Sequence, residues 1–273
     1  MTDSCSVDAS RRFGGIDRLY GPGALERLSQ AHVVVAGIGG VGSWCAEALA
    51  RSGVGALTLI DLDHVAESNV NRQLHALDST LGQAKVQAMG DRIRQINPSC
   101  QLELLDAFVE PESANTQINA QAQVVIDCTD QASAKIALIL QARARKQPLV
   151  VCGGAGGKTN PLALRSGDLS QATHDALLSR LRQILRRDHG FPRAAQAAGK
   201  VRGRVPRMGV RVLWFDQPVI LPQAWQSGAQ AAEGESLQGL SCAGYGSAVT
   251  VTASMGMAAA SEAITRILKG NWA

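Results

Sequence analysis

The 273-residue chain is 45% hydrophobic, enough apolar material for one large domain or two small ones. Its six cysteines (Cys5, Cys45, Cys100, Cys128, Cys152 and Cys242) form no C-x-x-C pair and its five histidines no H-E-x-x-H, so neither a cysteine zinc knuckle nor a disulfide framework is indicated. The formal charge of +4 hides an asymmetry: residues 1–150 hold 13 Lys/Arg against 16 Asp/Glu, net −3, whereas residues 151–273 hold 14 against 7, net +7.

The first ten residues, MTDSCSVDAS, carry no basic region followed by an apolar one, so no secretory signal is expected and the reducing cytoplasm is the default. Arg11-Arg12-Phe13-Gly14-Gly15 precedes a short amphipathic stretch, Leu19 to Leu28. Val33-Val34-Val35 is a β-branched run suited to a buried parallel strand. Gly37-Ile38-Gly39-Gly40-Val41-Gly42 follows, G-x-G-x-x-G with an extra glycine. A helical pattern from Trp44 to Ser52 is stopped by Gly53 and Gly55, and a second strand, Ala56 to Ile60, ends in Asp61. Strand, glycines, helix, strand and acid in this register predict a nucleotide-binding βαβ unit. The glycines let backbone N–H groups approach a phosphate at the helix N-terminus, and the acid is placed to take ribose hydroxyls.

Asp63 to Gln73 is polar and turn-rich. Gly82-Gln83-Ala84-Lys85 starts a helix, with Val86, Met89, Ile93 and Ile96 at helical spacing, and Asn97-Pro98 stops it. Next come a strand at Leu102 to Leu105, a helix near Pro111 to Ala120, a strand at Val124 to Cys128, a helix from Ala132 to Lys146 and a strand at Pro148 to Cys152. This alternation predicts an α/β fold, a mostly parallel sheet with helices on both faces. Beyond Gly153-Gly154-Ala155-Gly156-Gly157 the pattern loosens. Pro161 to Arg165 reads as extended, Asp175 to Arg187 as helix, Val210 to Phe215 as strand and Ala248 to Leu268 as a closing helix. We expect one domain over 1–273: a nucleotide-binding half, 1–152, and a continuation, 153–273, wrapped around the sheet's carboxyl edge. Leu240 to Ser261 is uncharged and long enough to cross a bilayer. Its Ala, Gly, Ser and Thr suit a closely packed internal helix better, so no stable membrane association is expected.

Ten basic residues fall between Arg180 and Arg211, opposed by Asp188 alone. Such a run is either a solvated loop or a footprint for a phosphate backbone, for which Arg202, Arg204 and Arg207 are the candidates. Arg72, Lys85 and Asp130 stand at carboxyl ends of strands or in the loops beside them, where an open α/β sheet binds ligands. Two cations with a carboxylate for Mg²⁺ suit a nucleoside triphosphate, favouring ATP cleavage over hydride transfer.

The glycine motif, Ser68-Asn69-Val70-Asn71-Arg72-Gln73, Gly82-Gln83-Ala84-Lys85 and Asp127-Cys128-Thr129-Asp130 resemble the ThiF/MoeB/ubiquitin-activating superfamily, which has a Rossmann-like fold and adenylates carboxylates with ATP. Arg12-Phe13-Gly14-Gly15, Arg18-Leu19-Tyr20-Gly21, Ile93 to Pro98, Gly153 to Gly157 and the region from Cys242-Ala243 to Gly246 resemble one branch, the tRNA threonylcarbamoyladenosine dehydratases (TcdA/CsdL). The resemblance implies roles. Gly37, Gly39, Gly40 and Gly42 would cradle the phosphates of ATP, and Asp61 would hold the ribose. Asn69, Arg72, Gln73 and Lys85 would bind the nucleotide, with phosphates for Asn69, Arg72 and Lys85, and Asp130 would bind Mg²⁺. Arg12 would reach the site of the partner in a homodimer, making Asp130, Lys85, Arg72 and Arg12 the catalytic set.

The resemblance further implies ATP-dependent cyclisation of threonylcarbamoyladenosine in tRNA through an acyl-adenylate, and a link to a cysteine desulfurase and sulfur-acceptor system. Cys242 has no evident basic neighbour to lower its pKa, which favours packing over sulfur chemistry. Alternatives from the same residues are an adenylyltransferase for a ubiquitin-like sulfur carrier, a nicotinamide-dependent oxidoreductase and a catalytically idle nucleotide-binding adaptor.

Overall fold

The computed structural model describes residues 8–193, 196–197, 200–201, 205–221 and 245–272. Three short helices, α1 (Ala9–Phe13), α2 (Gly15–Tyr20) and α3 (Ala24–Ser29), lead into β1 (His32–Ala36), α4 (Gly42–Arg51) and β2 (Ala56–Ile60). Then follow α5 (Lys85–Ile96), β3 (Gln101–Leu105), α6 (Ala114–Gln117), β4 (Val124–Asp127), α7 (Ala132–Arg145) and β5 (Leu149–Cys152). The second half supplies β6 (Leu164–Asp168), α8 (Ala176–Asp188), a two-stranded ribbon of β7 (Gln196–Ala197) and β8 (Lys200–Val201), β9 (Arg211–Phe215) and a long last helix, α9 (Val249–Lys269).

The seven-stranded sheet runs β3-β2-β1-β4-β5-β9-β6, and every pairing is parallel except β6 with β9. From β1 the chain builds outward through β2 and β3, then returns to place β4 on the other side of β1. That reversal opens a crevice at the carboxyl ends of β1 and β4, the place where such sheets bind ligands. Alternate strand residues feed two cores. Val33, Val35, Leu57, Leu59 and Ile126 face α4, α5 and α9, whereas Val34, Ala36, Val125 and Val151 face α7 and α8. Both faces are covered, so the inner strands β1, β2, β4 and β5 are mostly apolar and buried, whereas the edge strands β3 and β6 carry polar residues.

The small-residue composition of α9 has a geometric use. A Cβ at Gly256 would stand 2.4 Å from the Val41 carbonyl oxygen and 2.9 Å from Trp44 Cβ, so α9 lies almost backbone to backbone on the start of α4. Met255, Ala259, Ala260 and Ala263 are buried in the same core. Among the described residues no helix is long and apolar enough to cross a membrane.

Three expectations change. The helix foreseen near Pro111 to Ala120 is a single turn, α6, because the segment has no apolar stripe; its carbonyls are instead taken by Gln141 and Arg145 of α7. Pro161–Ala163 is a 3₁₀ turn capped by Asn160, and the extended strand begins only at Leu164, becoming the antiparallel sheet edge. The second half also does more than wrap the carboxyl edge. β9 joins the sheet beside β5 and α9 covers one face, while Gly157, hydrogen-bonded to Gly246 and Ile220, and Lys158, donating to the His174 and Gln217 carbonyls, tie loops across that edge.

Gly256→Val forces α9 away from α4. A loss of about 1–3 kcal/mol or more is expected, read as a lower denaturation midpoint in urea; an unchanged midpoint would show that the two helices have slack.

Candidate functional site

The glycine turn after β1 is shaped by what leaves no room for side chains. Gly37 has φ +86°, and a Cβ there would lie 2.8 Å from the carbonyl of Cys128 and from Thr129 N. At Gly42, the first residue of α4, a Cβ would fall 1.8 Å from the Gly37 oxygen. The turn is therefore pressed onto the loop after β4, and the ten-residue α4 begins directly behind it. First-turn N–H groups of such a helix favour an anion.

In front of the turn lies a cavity of about 330 Å³. Its walls include Gly37, Gly39, Gly40, Asp61, Asn69, Arg72, Gln73, Lys85 and Asp130, so nine of the expected nucleotide residues converge there. Gly42 supports the turn from behind.

Asp61 accepts from Ile38 N (2.6 Å) through Oδ2 and from Asp63 N (2.9 Å) through Oδ1, leaving lone pairs for hydroxyl donors. Burial pushes its carboxyl pKa up, against Lys85 and the two backbone donors. Lys85, the first residue of α5, is buried, with Nζ 2.7 Å from Asp63 Oδ2 and 4.0 Å from Asp61 Oδ1. Arg72 is half-buried and donates to Ser68 O (2.7 Å) and Asn71 Oδ1 (2.9 Å). Its own carbonyl receives the Trp44 indole N–H at 3.0 Å, which anchors the turn to α4. Asn69 closes that turn by accepting from Ala66 N. Gln73 is buried, and its Oε1 has no partner among the described residues.

Asp130 is exposed on the cavity wall and makes no hydrogen bond or ion pair among the described residues. No group of three or more His, Cys, Asp or Glu there forms a metal site alone. One free carboxylate facing a nucleotide cavity nevertheless fits Mg²⁺, which takes one or two carboxylates and completes its shell with phosphates and water.

Arg12 is not part of this cavity. Its guanidinium donates to Ile96 O (2.8 Å) and Gln95 O (3.5 Å) at the C-terminus of α5, the end of that helix remote from Lys85. Arg202, Arg204 and Cys242 lie outside the described residues, while Arg207 is exposed.

The basic run is less available than its count suggested. Arg182 donates to Leu169 O and Ala172 O, Arg211 pairs with Glu262 at 2.7 Å, and Arg193 donates to Arg186 O. These arginines knit the fold, a use that composition does not distinguish from a surface footprint.

Sequence reasoning missed Thr252 and Leu177, which reach the cavity from α9 and α8, and Leu62 and Phe108, which give it exposed apolar wall. It also missed Asp127 and Lys135, a wholly buried ion pair at 3.2 Å beneath the cavity. An acid closing an apolar strand and a lysine on the apolar side of the next helix were the available signals.

The chain matches the ThiF family over residues 14–271. It is 40% identical over 260 residues to the tRNA threonylcarbamoyladenosine dehydratase of Haemophilus influenzae, covering 95% of this chain and 94% of that one. It is 41% identical over 260 residues to the Escherichia coli protein of the same name, covering 94% of each. The crystal structure of the E. coli tRNA N6-threonylcarbamoyladenosine dehydratase TcdA in complex with ATP superposes with a TM-score of 0.82 at 39% identity, covering 97% of both chains.

His75, buried behind Lys85 with neither ring nitrogen partnered among the described residues, has its pKa lowered to about 4, first by burial and then by the Lys85 charge. Its unfolded value is 6.5, so the folded state resists protonation that the unfolded state accepts. The stability this gives is full above pH 6.5 and is lost as pH falls through the window down to about 4, roughly 3 kcal/mol in all. His75→Gln should flatten that part of the stability–pH curve relative to the parent in urea titrations; parallel curves would show that His75 titrates normally.

Proposed function

The chain belongs to the ThiF family, among the tRNA threonylcarbamoyladenosine dehydratases, and from that premise we propose that it cyclises threonylcarbamoyladenosine in tRNA at the expense of ATP, in the cytoplasm. The observation that carries the reading is the convergence of the glycine turn, Asp61, Arg72, Lys85 and Asp130 on one cavity.

The threonyl carboxylate attacks the α-phosphate of ATP, forming an acyl-adenylate and releasing pyrophosphate. A nitrogen of the same modification then attacks the activated carbonyl, closes a five-membered ring and expels AMP. The second nucleophile is tethered to the electrophile, so ring closure gains from proximity without another bound reactant. Residue roles follow from position. N–H groups of the glycine turn and the start of α4 hold phosphate oxygens. Asp61 accepts the ribose hydroxyls with the lone pairs its backbone donors leave. Lys85 and Arg72, each already oriented by its neighbours, offset charge on the departing pyrophosphate, and Gln73 offers its unpartnered amide oxygen to a donor on the ligand. Asp130 would hold Mg²⁺, which would supply positive charge against the phosphates.

The Ile96 carbonyl that holds Arg12 closes the far end of α5, about 17 Å along the helix from Lys85 by its rise per residue. A role for Arg12 in the chemistry therefore requires a second copy of the chain, and we propose a homodimer in which Arg12 completes the partner's site. We place the tRNA backbone against the exposed basic residues that the fold does not consume, Arg207 above all.

Incubation with ATP, Mg²⁺ and tRNA bearing threonylcarbamoyladenosine should yield a nucleoside lighter by one water, with one AMP and one pyrophosphate per product. Pyrophosphate release that requires a carrier protein instead of tRNA would sink the reading. Asp130→Asn keeps shape and loses a charge, so its pyrophosphate release should fall on the order of 100-fold or more, with Mg²⁺-free ATP binding retained. Neutralising Arg207 should weaken tRNA binding and make its log–log salt slope shallower by roughly 0.7–0.9, the value of one phosphate contact; an unchanged slope would remove Arg207 from the interface.

A further inference from the structure

Lys135 is the fourth residue of α7, and its side chain is wholly buried. Helix–sheet packing gives no reason for a charge there, since a methionine of similar length would fill the space without desolvation cost. The ammonium makes two contacts, both at strand ends. Nζ is 3.2 Å from Asp127 Oδ1, on the last residue of β4, and donates to the Cys152 carbonyl oxygen at 2.8 Å, on the last residue of β5. β4 and β5 are neighbours in register, Asp127 opposite Val151.

Each of these strands releases directly into a wall of the cavity: Cys128, Thr129 and Asp130 after β4, and Gly153, Gly154 and Ala155 after β5. Asp127 Oδ1 also accepts from Thr129 N (3.0 Å) and Thr129 Oγ1 (2.7 Å), which folds the chain back just before Asp130. The other oxygen of Asp127 is buried without a partner among the described residues. Lys135 thus supplies the only countercharge paired with this carboxylate there. Without it the buried carboxylate has no countercharge to hold it in place, and Thr129 loses an aimed acceptor. The disturbance would not stop at Thr129, because the Gly37 turn rests on the same Cys128–Thr129 peptide.

We propose that Lys135 is a positioning residue for the ATP-dependent step: through Asp127 it sets the wall that carries Asp130, and through the Cys152 carbonyl it sets the glycine-rich wall beside it. The kinetic part of this proposal rests on the dehydratase reading above; the structural part does not.

The test compares full-length Lys135→Met, Lys135→Arg and the double variant Asp127→Asn/Lys135→Met with the parent. Two readouts are taken: pyrophosphate release at varied ATP, and hydrogen exchange of backbone amides by mass spectrometry. Lys135→Met should lose kcat on the order of 100-fold, the cost of a roughly 1 Å misplacement, with the KM for ATP changed far less. Exchange should quicken in the Gly37–Gly42, Thr129–Asp130 and Gly153–Ala155 peptides and nowhere else. Lys135→Arg, which restores the charge, should recover most of kcat. The double variant removes both buried charges, so it should fold even where the single one does not, yet remain as slow. A folded Lys135→Met or double variant with parental kcat, or with slow turnover and both walls exchanging as in the parent, would overturn the proposal. A parent that releases no pyrophosphate with its tRNA would defeat the dehydratase reading alone, and the exchange pattern would still decide whether Lys135 holds the two walls.

Discussion

The site depends on the missing space between the turn after β1 and the loop after β4. With a Cβ at Gly37 placed 2.8 Å from the Cys128–Thr129 peptide, the two loops can touch only as backbone against backbone. That contact brings the N-terminus of α4 beside the loop carrying Asp130, so the N–H groups we propose for phosphate and the carboxylate we propose for Mg²⁺ share one cavity. The parallel pairing of β1 with β4 fixes the height at which the two loops leave the sheet. Gly40 repeats the device on the other side, where a Cβ would stand 3.2 Å from the Thr252 methyl and 3.3 Å from Arg72 Cγ. The glycine turn is thus gripped by β4, α9 and the Arg72 loop at once.

Charges of both signs line the cavity, and a nucleotide needs both. Ribose hydroxyls are donors and want a carboxylate; phosphates are acceptors and want N–H groups and cations. In the roles we propose, Asp61 and Lys85 can answer these needs only because each is held off the other. The Lys85 ammonium is 4.0 Å from Asp61 and 2.7 Å from Asp63, so Asp63 takes the short contact and Asp61 keeps lone pairs for the ligand. Asp63 is the more exposed partner, at 59% for its side chain against 11% for Asp61. Its contact with Lys85 is therefore the better screened by solvent, and the easier for a phosphate to share.

The first half of the fold was legible because its signals are local. β-branched runs, glycine spacing and apolar residues at helical period placed β1, α4, β2 and α5 within a residue or two, and Asp61 by register. What escaped depends on partners distant in the chain. Arg182 and Arg211 counted as surface charge, whereas the fold uses Arg211 against Glu262, 51 residues away, to tie β9 to α9. Lys135 reads as part of an ordinary helix, since its place on the apolar side of that helix does not by itself pair it with the acid that closes β4. Arg12 shows the same limit. The basic pair is visible, but the Gln95 and Ile96 carbonyls that hold Arg12 lie more than 80 positions on. The antiparallel edge formed by β6 escaped for another reason: Leu164 to Asp168 contains Ser166 and Gly167, poor strand residues that are stabilised by pairing with Leu213 and Val212.

The order in which the chain builds the sheet also explains why the nucleotide residues, nearly all before position 153, are not self-sufficient. β5 is paired on its outer side by β9, and the core that α4 shares with the sheet is closed by α9. If residues 153–273 were removed, the β5 edge would present unpaired backbone groups. Val41, Cys45 and Ala46 would lose the helix now packed on them. Thr252, which stands against Gly40, would go with it. The glycine turn is encoded early and supported late. Its shape needs the first half, and its rigidity needs a helix that the chain supplies only at Val249.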